Sequence, residues 1–267
     1  MTESAQRRYE APCPGCGAPV AFQSAQSTHA VCAYCHSSVV RTADALARLG
    51  RIADEFTDYS PLKIGATGQW RAQAFTLVGR LQLGNAAARW TEWQAVFDDQ
   101  SLGSLGEDNG SFVFSVPRPV LGSLPAFKDW RVGRSHALGG ETFTVSAVTE
   151  VSVLAAQGEL SHLPEAGKVF GVVELRNDAG AVCSIDYASE PPAVWLGAQV
   201  ALDELKLAGL AGSSVRKDEG RHFNCPNCAA RLEVKLETTK SMSCPSCDAL
   251  IDLSAGIGGE LKLAIQD

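Results

Sequence analysis

Cysteines come in pairs in this chain, and their spacing constrains the fold more than any other feature. Eight of the nine cysteines form four C-x-x-C pairs: Cys13/Cys16, Cys32/Cys35, Cys225/Cys228 and Cys244/Cys247. The pattern C-x2-C-x15-C-x2-C is used twice, once toward each end. A C-x-x-C on a tight turn brings two sulfurs to one side, about 3.5–4 Å apart, and two such knuckles complete a tetrahedral four-thiolate site. Pro14, Pro226 and Pro245 follow the first cysteine of three pairs, where proline pre-sets φ for a turn. Gly17 follows the first knuckle, a place for a left-handed residue. Between knuckles lie Val20-Ala-Phe22 and Leu232-Glu-Val234-Lys-Leu236, whose period of two argues strand. Knuckle, strand, strand, knuckle is a zinc ribbon. The ends also match in sequence: CPGCGAPVAF with CPNCAARLEV, and CAYCHSSVV with CPSCDALID.

Other uses of the cysteines fit less well. The N-terminal MTESAQRRYEAPC has no apolar stretch of the secretory kind, so a reducing, cytoplasmic setting is expected, against disulfides. A thioredoxin-type redox pair needs one C-x-x-C beside a βαβ pattern. Iron in place of zinc stays chemically open. The expected cofactors are two structural zinc ions, held by Cys13, Cys16, Cys32, Cys35 and by Cys225, Cys228, Cys244, Cys247. Four protein ligands leave no position for a reacting water, so neither site is expected to do catalysis. His29, His36 and His222 lie near the knuckles and are not needed as ligands. Cys183 lies in an apolar run and reads as a buried, inert thiol.

The middle carries β signals from Pro61 to about Leu210. Trp93, Ala95 and Phe97 share one parity, as do Phe112, Phe114 and Val116. Asn109-Gly110 is a strong hairpin signal, and Asn177-Asp-Ala-Gly180 is another. Phe143, Val145, Ala147, Val151 and Val153 keep one parity along a longer run. Trp70…Phe75-Thr-Leu-Val and Gly140…Phe143-Thr-Val-Ser look like the starts of two similar halves. Before this region, Leu46, Leu49, Ile52, Ala53 and Phe56 are spaced as one face of a short linker helix capped by Thr42. The expected fold is mainly β. A central β-barrel or sandwich domain is flanked by two four-cysteine zinc ribbons, with that one helix as linker. The expected boundaries are 1–41 for the first ribbon, 42–59 for the linker helix, 60–211 for the β-rich domain, 212–255 for the second ribbon and 256–267 for a tail.

Leu62-Lys-Ile-Gly65, Phe75-x-x-x-Gly79, Trp90-Thr-Glu92-Trp93, Gly158-Glu-Leu160, Ser184-Ile-Asp-Tyr187 and Trp195-Leu-Gly197 resemble an uncharacterised bacterial family. That family is a β-rich domain of unknown function, often fused to zinc ribbons. It is often encoded near small membrane proteins and near polyamine-synthase-like and envelope-stress genes. The resemblance covers roughly residues 60–207 and implies an accessory or adapter role, in the cytoplasm or peripheral to the inner membrane face. It carries no catalytic residues.

No nucleotide loop, nucleophile elbow or zinc-protease motif occurs. Asp98-Asp99 and Glu107-Asp108 read as turn carboxylates, and Ser135-His136 with Glu141 is poor catalytic geometry, because strand neighbours face opposite ways. A small-ligand pocket in the β domain is the enzyme-like or sensor alternative. Nucleic acid as partner is opposed by charge. The net formal charge is −7, and neither ribbon has a clustered basic face. The expectation is a non-enzymatic zinc-binding adapter or scaffold with protein partners, in a pathway that could be membrane-associated. No stretch is apolar and long enough to span a membrane.

Overall fold

The computed structural model describes residues 9–42, 45–51, 60–119, 123–210, 221–224, 227–228, 231–234, 241–252 and 262–263. The chain forms two compact units, 1–211 and 212–267.

The first unit opens with a hairpin of β1 (Tyr9–Pro12) and β2 (Pro19–Phe22). A second hairpin follows, β3 (His29–Val31) and β4 (Ser37–Arg41). The segment expected as a helix instead supplies β5 (Leu46–Arg51), antiparallel to β4; 52–59 lie outside the described residues. Thr42 does not cap a helix; its N–H and hydroxyl both donate to Ala45 O at 2.9 Å, closing the turn. An open β4 edge with Val39 and Val40 offers a ladder, and pairing outweighs weak helical spacing that already contained Gly50.

The β-rich region has five strands in each of two halves. The first half is β6 (Thr67–Trp70), β7 (Gln73–Gly84), β8 (Arg89–Phe97), β9 (Leu102–Asp108) and β10 (Ser111–Pro117). The second is β11 (Ser135–Leu138), β12 (Glu141–Leu160), β13 (Phe170–Arg176), β14 (Ala181–Asp186) and β15 (Ala193–Val200). Each half starts with a short strand and a two-residue turn at positive φ, Arg71-Ala72 in one and Gly139-Gly140 in the other. Gly65 N–H donates to Leu77 O at 2.7 Å, and Gly133 N–H to Val145 O at 2.9 Å. Each long strand then bulges at the equivalent place, Leu77/Gly79 against β8 and Val145/Ala147 against β13. The duplication suggested by Phe75 and Phe143 thus extends to turns, bulges and hydrogen bonds.

The halves join through like strands: β7 pairs with β12, and β10 with β15, both antiparallel. The pairings β7-β8-β9-β10-β15-β14-β13-β12 therefore return to β7. One face of this circuit carries two apolar clusters. Leu62, Phe75, Leu77, Trp93, Phe97 and Phe114 pack in one. Trp130, Phe143, Val145, Val173, Leu175 and Ile185 pack in the other. The bulge in β12 corrects the expectation of a single parity. Phe143 and Val145 serve the second of these clusters, whereas Val151 and Val153 pack with Leu81, Leu83 and Phe170 in a third. One extra residue flips the faces. At Asn109-Gly110 both residues have positive φ, as the hairpin signal requires.

In the second unit, β16 (Arg221–Asn224) pairs with β17 (Arg231–Val234). Next, β18 (Ser241–Ser243) pairs with β19 (Leu250–Asp252), which also pairs with β20 (Lys262–Leu263). The last strand lies within the stretch expected as a tail.

Candidate metal centres

Cys13, Cys16, Cys32 and Cys35 converge at one point of the first unit, their sulfurs all within 4.8 Å of one another. The hairpins bring them there. Gly17 N–H donates to Cys13 O at 2.8 Å, and His36 N–H to Cys32 O at 3.0 Å. Gly17 and His36, each following the second cysteine of a pair, sit at φ +78° and +56°. His36 thus has a backbone role, the counterpart of the glycine. Cys13 Sγ lies 3.7 Å from Cys35 Sγ, and Cys16 Sγ lies 3.8 Å from Cys32 Sγ. A tetrahedron with metal–sulfur bonds of about 2.3 Å has sulfur–sulfur edges of about 3.8 Å. The donor set therefore fits a four-thiolate metal site. Gly15 N–H donates to Cys13 Sγ at 3.3 Å, and Ser37 Oγ is 3.2 Å from Cys35 Sγ. Val20, Phe22, Ala30 and Val39 pack behind the sulfurs.

The thiols titrate far apart. Ser37, by its hydroxyl and then its N–H, pulls Cys35 down to about 6. The Ala18 N–H pulls Cys16 down, but the sulfurs of Cys35, Cys32 and Cys13, with desolvation, push it up to about 12. The two shifts run in opposite directions, and a bound cation would favour the thiolate form of the ligands.

In the second unit Cys228, Cys244 and Cys247 converge in the same way, with Cys228 Sγ 3.7 Å from Cys244 Sγ. Cys225, the expected fourth ligand, lies outside the described residues. Ser246 N–H donates to Cys244 Sγ at 3.4 Å, as Gly15 does in the first centre. Asp248 at φ +58° takes the place of Gly17 and His36. The Asn227 amide, followed by the Ala249 N–H, pulls Cys247 down to about 6.

The first centre is tied into the large sheet. Strand β3 pairs with the end of β12 through Val31↔Gly158, Ala30↔Glu159 and His29↔Leu160. The Glu159 carboxylate accepts from Gln23 N–H at 2.8 Å and Ser24 N–H at 3.3 Å. Thr28 Oγ1 donates to Ser161 O at 2.7 Å. Gly158 also pairs with Gly79 of β7, and a Cβ on Gly79 would stand 1.9 Å from Glu159 O. Only a bare backbone permits that three-strand junction.

Residues weighed as nucleophiles or bases are accounted for by packing. Cys183 is buried, and burial pushes its thiol up to about 11. The His136 ring packs on Trp130 with centroids 4.3 Å apart, and Glu141 accepts from Asn177 at 2.8 Å. His29 stands edge-on to His162, and desolvation lowers its pKa. The side chain of His222 lies outside the described residues.

Sequence reasoning allowed a small-ligand pocket in the β domain but did not find its residues: a hollow on the circuit's other face, about 250 Å³ in volume, is lined by Trp90, Glu92, Ser104, Glu174, Ser184, Asp186 and Trp195 among others. These positions alternate with the apolar clusters along each strand, which is the signal that could have found them. Their distance in sequence hid them.

Fold and sites define the class: a mainly β chain, built on a large sheet, with two cysteine clusters able to hold metal ions. No family model, no curated protein and no solved structure matches it. Among the described residues, no helix is long and apolar enough to cross a membrane.

Proposed function

We propose that the protein is a non-enzymatic, zinc-stabilised adapter that presents its first ribbon to protein partners. The observation that carries this reading is the β3–β12 ladder. It holds the first ribbon in a fixed attitude on the β-rich region, whose circuit of strands we read as a closed barrel. On that ribbon, Tyr34 is 71% exposed within a knuckle, and Leu49 is 56% exposed on β5. Among the described pairings β5 has a neighbour on one side alone, β4. An open edge, in a unit that also exposes an aromatic, suits a partner that adds an extended strand. The closed donor set favours a structural zinc ion that fixes the knuckles. The resemblance to the β-rich bacterial family supports an accessory role, in the cytoplasm or at the inner membrane face. The charge balance opposes nucleic acid as the partner.

The test is affinity capture from native cells, with and without nuclease, using the wild-type chain and the Tyr34→Ala variant. Protein partners that resist nuclease and are lost from Tyr34→Ala, with metal content unchanged, are expected. Nuclease-sensitive capture of bound nucleic acid, or partners indifferent to Tyr34, overturns the reading.

A further inference from the structure

Outside the metal centres, several carboxylates share the inner face of the circuit. Glu92 of β8, Glu174 of β13 and Asp186 of β14 approach one another across a hollow that continues into a second one of about 90 Å³. Both hollows touch Glu92, Ser104, Asp186 and Trp195. The third apolar cluster, with Leu81, Leu83 and Val172, packs beside them on the same face.

Gln94 carries the argument from an acidic face to a ligand. It is 93% buried, lies in the wall of the smaller hollow and accepts at Oε1 from the Ser161 N–H (3.2 Å) and hydroxyl (3.0 Å). A backbone N–H can only donate, so the amide oxygen must face Ser161 and the assignment cannot be flipped. Its Nε2 is then left without a partner among the described residues. A buried, unmet N–H2 is costly and calls for an acceptor. The surrounding carboxylates call for a positive charge. A bare metal ion offers no acceptor to Gln94, and an anion would meet Glu92, Glu174 and Asp186, with Glu107 and Asp108 also in the wall.

Two indoles complete the surroundings. Trp90 Nε1 donates to Glu92 Oε1 at 3.0 Å, and Trp195 lines both hollows. Indole faces attract desolvated organic cations. The duplication points the same way. Gln94 pairs with Gly79 and Ser104; its counterpart Glu174 pairs with Ala147 and Ser184. On the outer face the equivalent residues stay apolar in both halves, as in Phe75 and Phe143 or Leu77 and Val145. The halves differ in chemistry where they line the hollow.

We propose that this hollow, bounded by Glu92, Gln94, Glu174, Asp186, Trp90 and Trp195, binds a small organic cation: an amine with an oxygen acceptor next to its ammonium group. The ammonium sits among the carboxylates, and the oxygen accepts from Gln94 Nε2. Burial, against the Trp90 hydrogen bond, and then the Asp186 and Glu174 charges push the Glu92 carboxyl up to about 7. Asp186 is raised too, chiefly by burial, with His162 opposing. Arg176, at the mouth, is the one cation among the residues lining the larger hollow. A bound ammonium favours ionised Glu92, so affinity rises as the pH rises toward about 7. This proposal does not depend on the adapter reading.

The test titrates the metal-loaded full chain with glycinamide, propylamine and acetate, followed by tryptophan fluorescence and calorimetry. Saturable glycinamide binding is expected, several-fold weaker propylamine binding, and none for acetate. Glu92→Gln should weaken glycinamide at least tenfold. Gln94→Leu should erase the preference for glycinamide over propylamine. If Glu92→Gln does not fold, Asp186→Asn carries the same expectation. No amine binding, acetate binding, or equal affinity in the wild-type chain and the folded carboxylate variant overturns the proposal.

Discussion

The two cysteine centres share a spacing but not a setting. The first is hydrogen-bonded through β3 into the strand that also closes the large circuit, and the Glu159 carboxylate clasps the loop after β2. The second belongs to a unit of its own, 212–267. The same local chemistry can therefore be a joint in one place and a self-contained staple in another. The one sulfur spacing that can be matched, 3.8 Å for Cys16–Cys32 and 3.7 Å for Cys228–Cys244, does not distinguish them. What the neighbouring backbone does with its free edge does.

That contrast breaks most directly at the cysteines. Metal binding to small cysteine modules is worth roughly 10–16 kcal/mol, in effect their folding energy. Cys32→Ser should remove one equivalent of metal and lower the main thermal transition, that of the unit 1–211. Cys244→Ser should remove one equivalent and leave that transition in place. Metal analysis with scanning calorimetry decides it. If Cys32→Ser spares the main transition, the first centre is no more a joint than the second.

A smaller effect is expected at the junction itself. Gly79→Ala puts a methyl group where Glu159 O stands and should cost about 3 kcal/mol or more in urea unfolding of the same unit. An unchanged midpoint would mean that β7 and β12 do not approach as closely as described.

The mildest change sharpens the comparison most. Glu159→Ala leaves the Gln23 and Ser24 N–H groups without their acceptor, worth about 1–3 kcal/mol. Metal loss from the first centre to a competing chelator should quicken while loss from the second keeps its rate. Equal rates for both would show that the clasp does not support the first centre.

Much of this was legible in the sequence, for reasons that are local. C-x-x-C knuckles, the Asn109-Gly110 turn and the alternation of Phe112 and Phe114 each report on a few neighbouring residues. Phe75 and Phe143 hinted at two similar halves because each marks the start of an apolar cluster on a long strand. The segment from Leu46 was misread because helical spacing is a local cue, whereas β5 exists by virtue of the open edge on β4. The bulge at Val145/Ala147 was invisible for a similar reason, since a bulge is defined by the partner strand. Glu92 and Asp186 stood out in the sequence only as members of the family motifs, and nothing local marked Glu174. The strand pairings that run from β7 round to β12 gather them about one hollow.

The pairing of β7 with β12 and of β10 with β15 has a genealogical consequence. Each half offers to the other the same two edges that it receives, so two copies of one half could close the same circuit as a symmetric dimer. In such an ancestor every substitution would appear twice, and an interior carboxylate would always face its own double. Joining the copies in one chain removes that constraint. Gln94 and Glu174, facing related serines from equivalent positions, are a difference that two identical copies of one half could not encode.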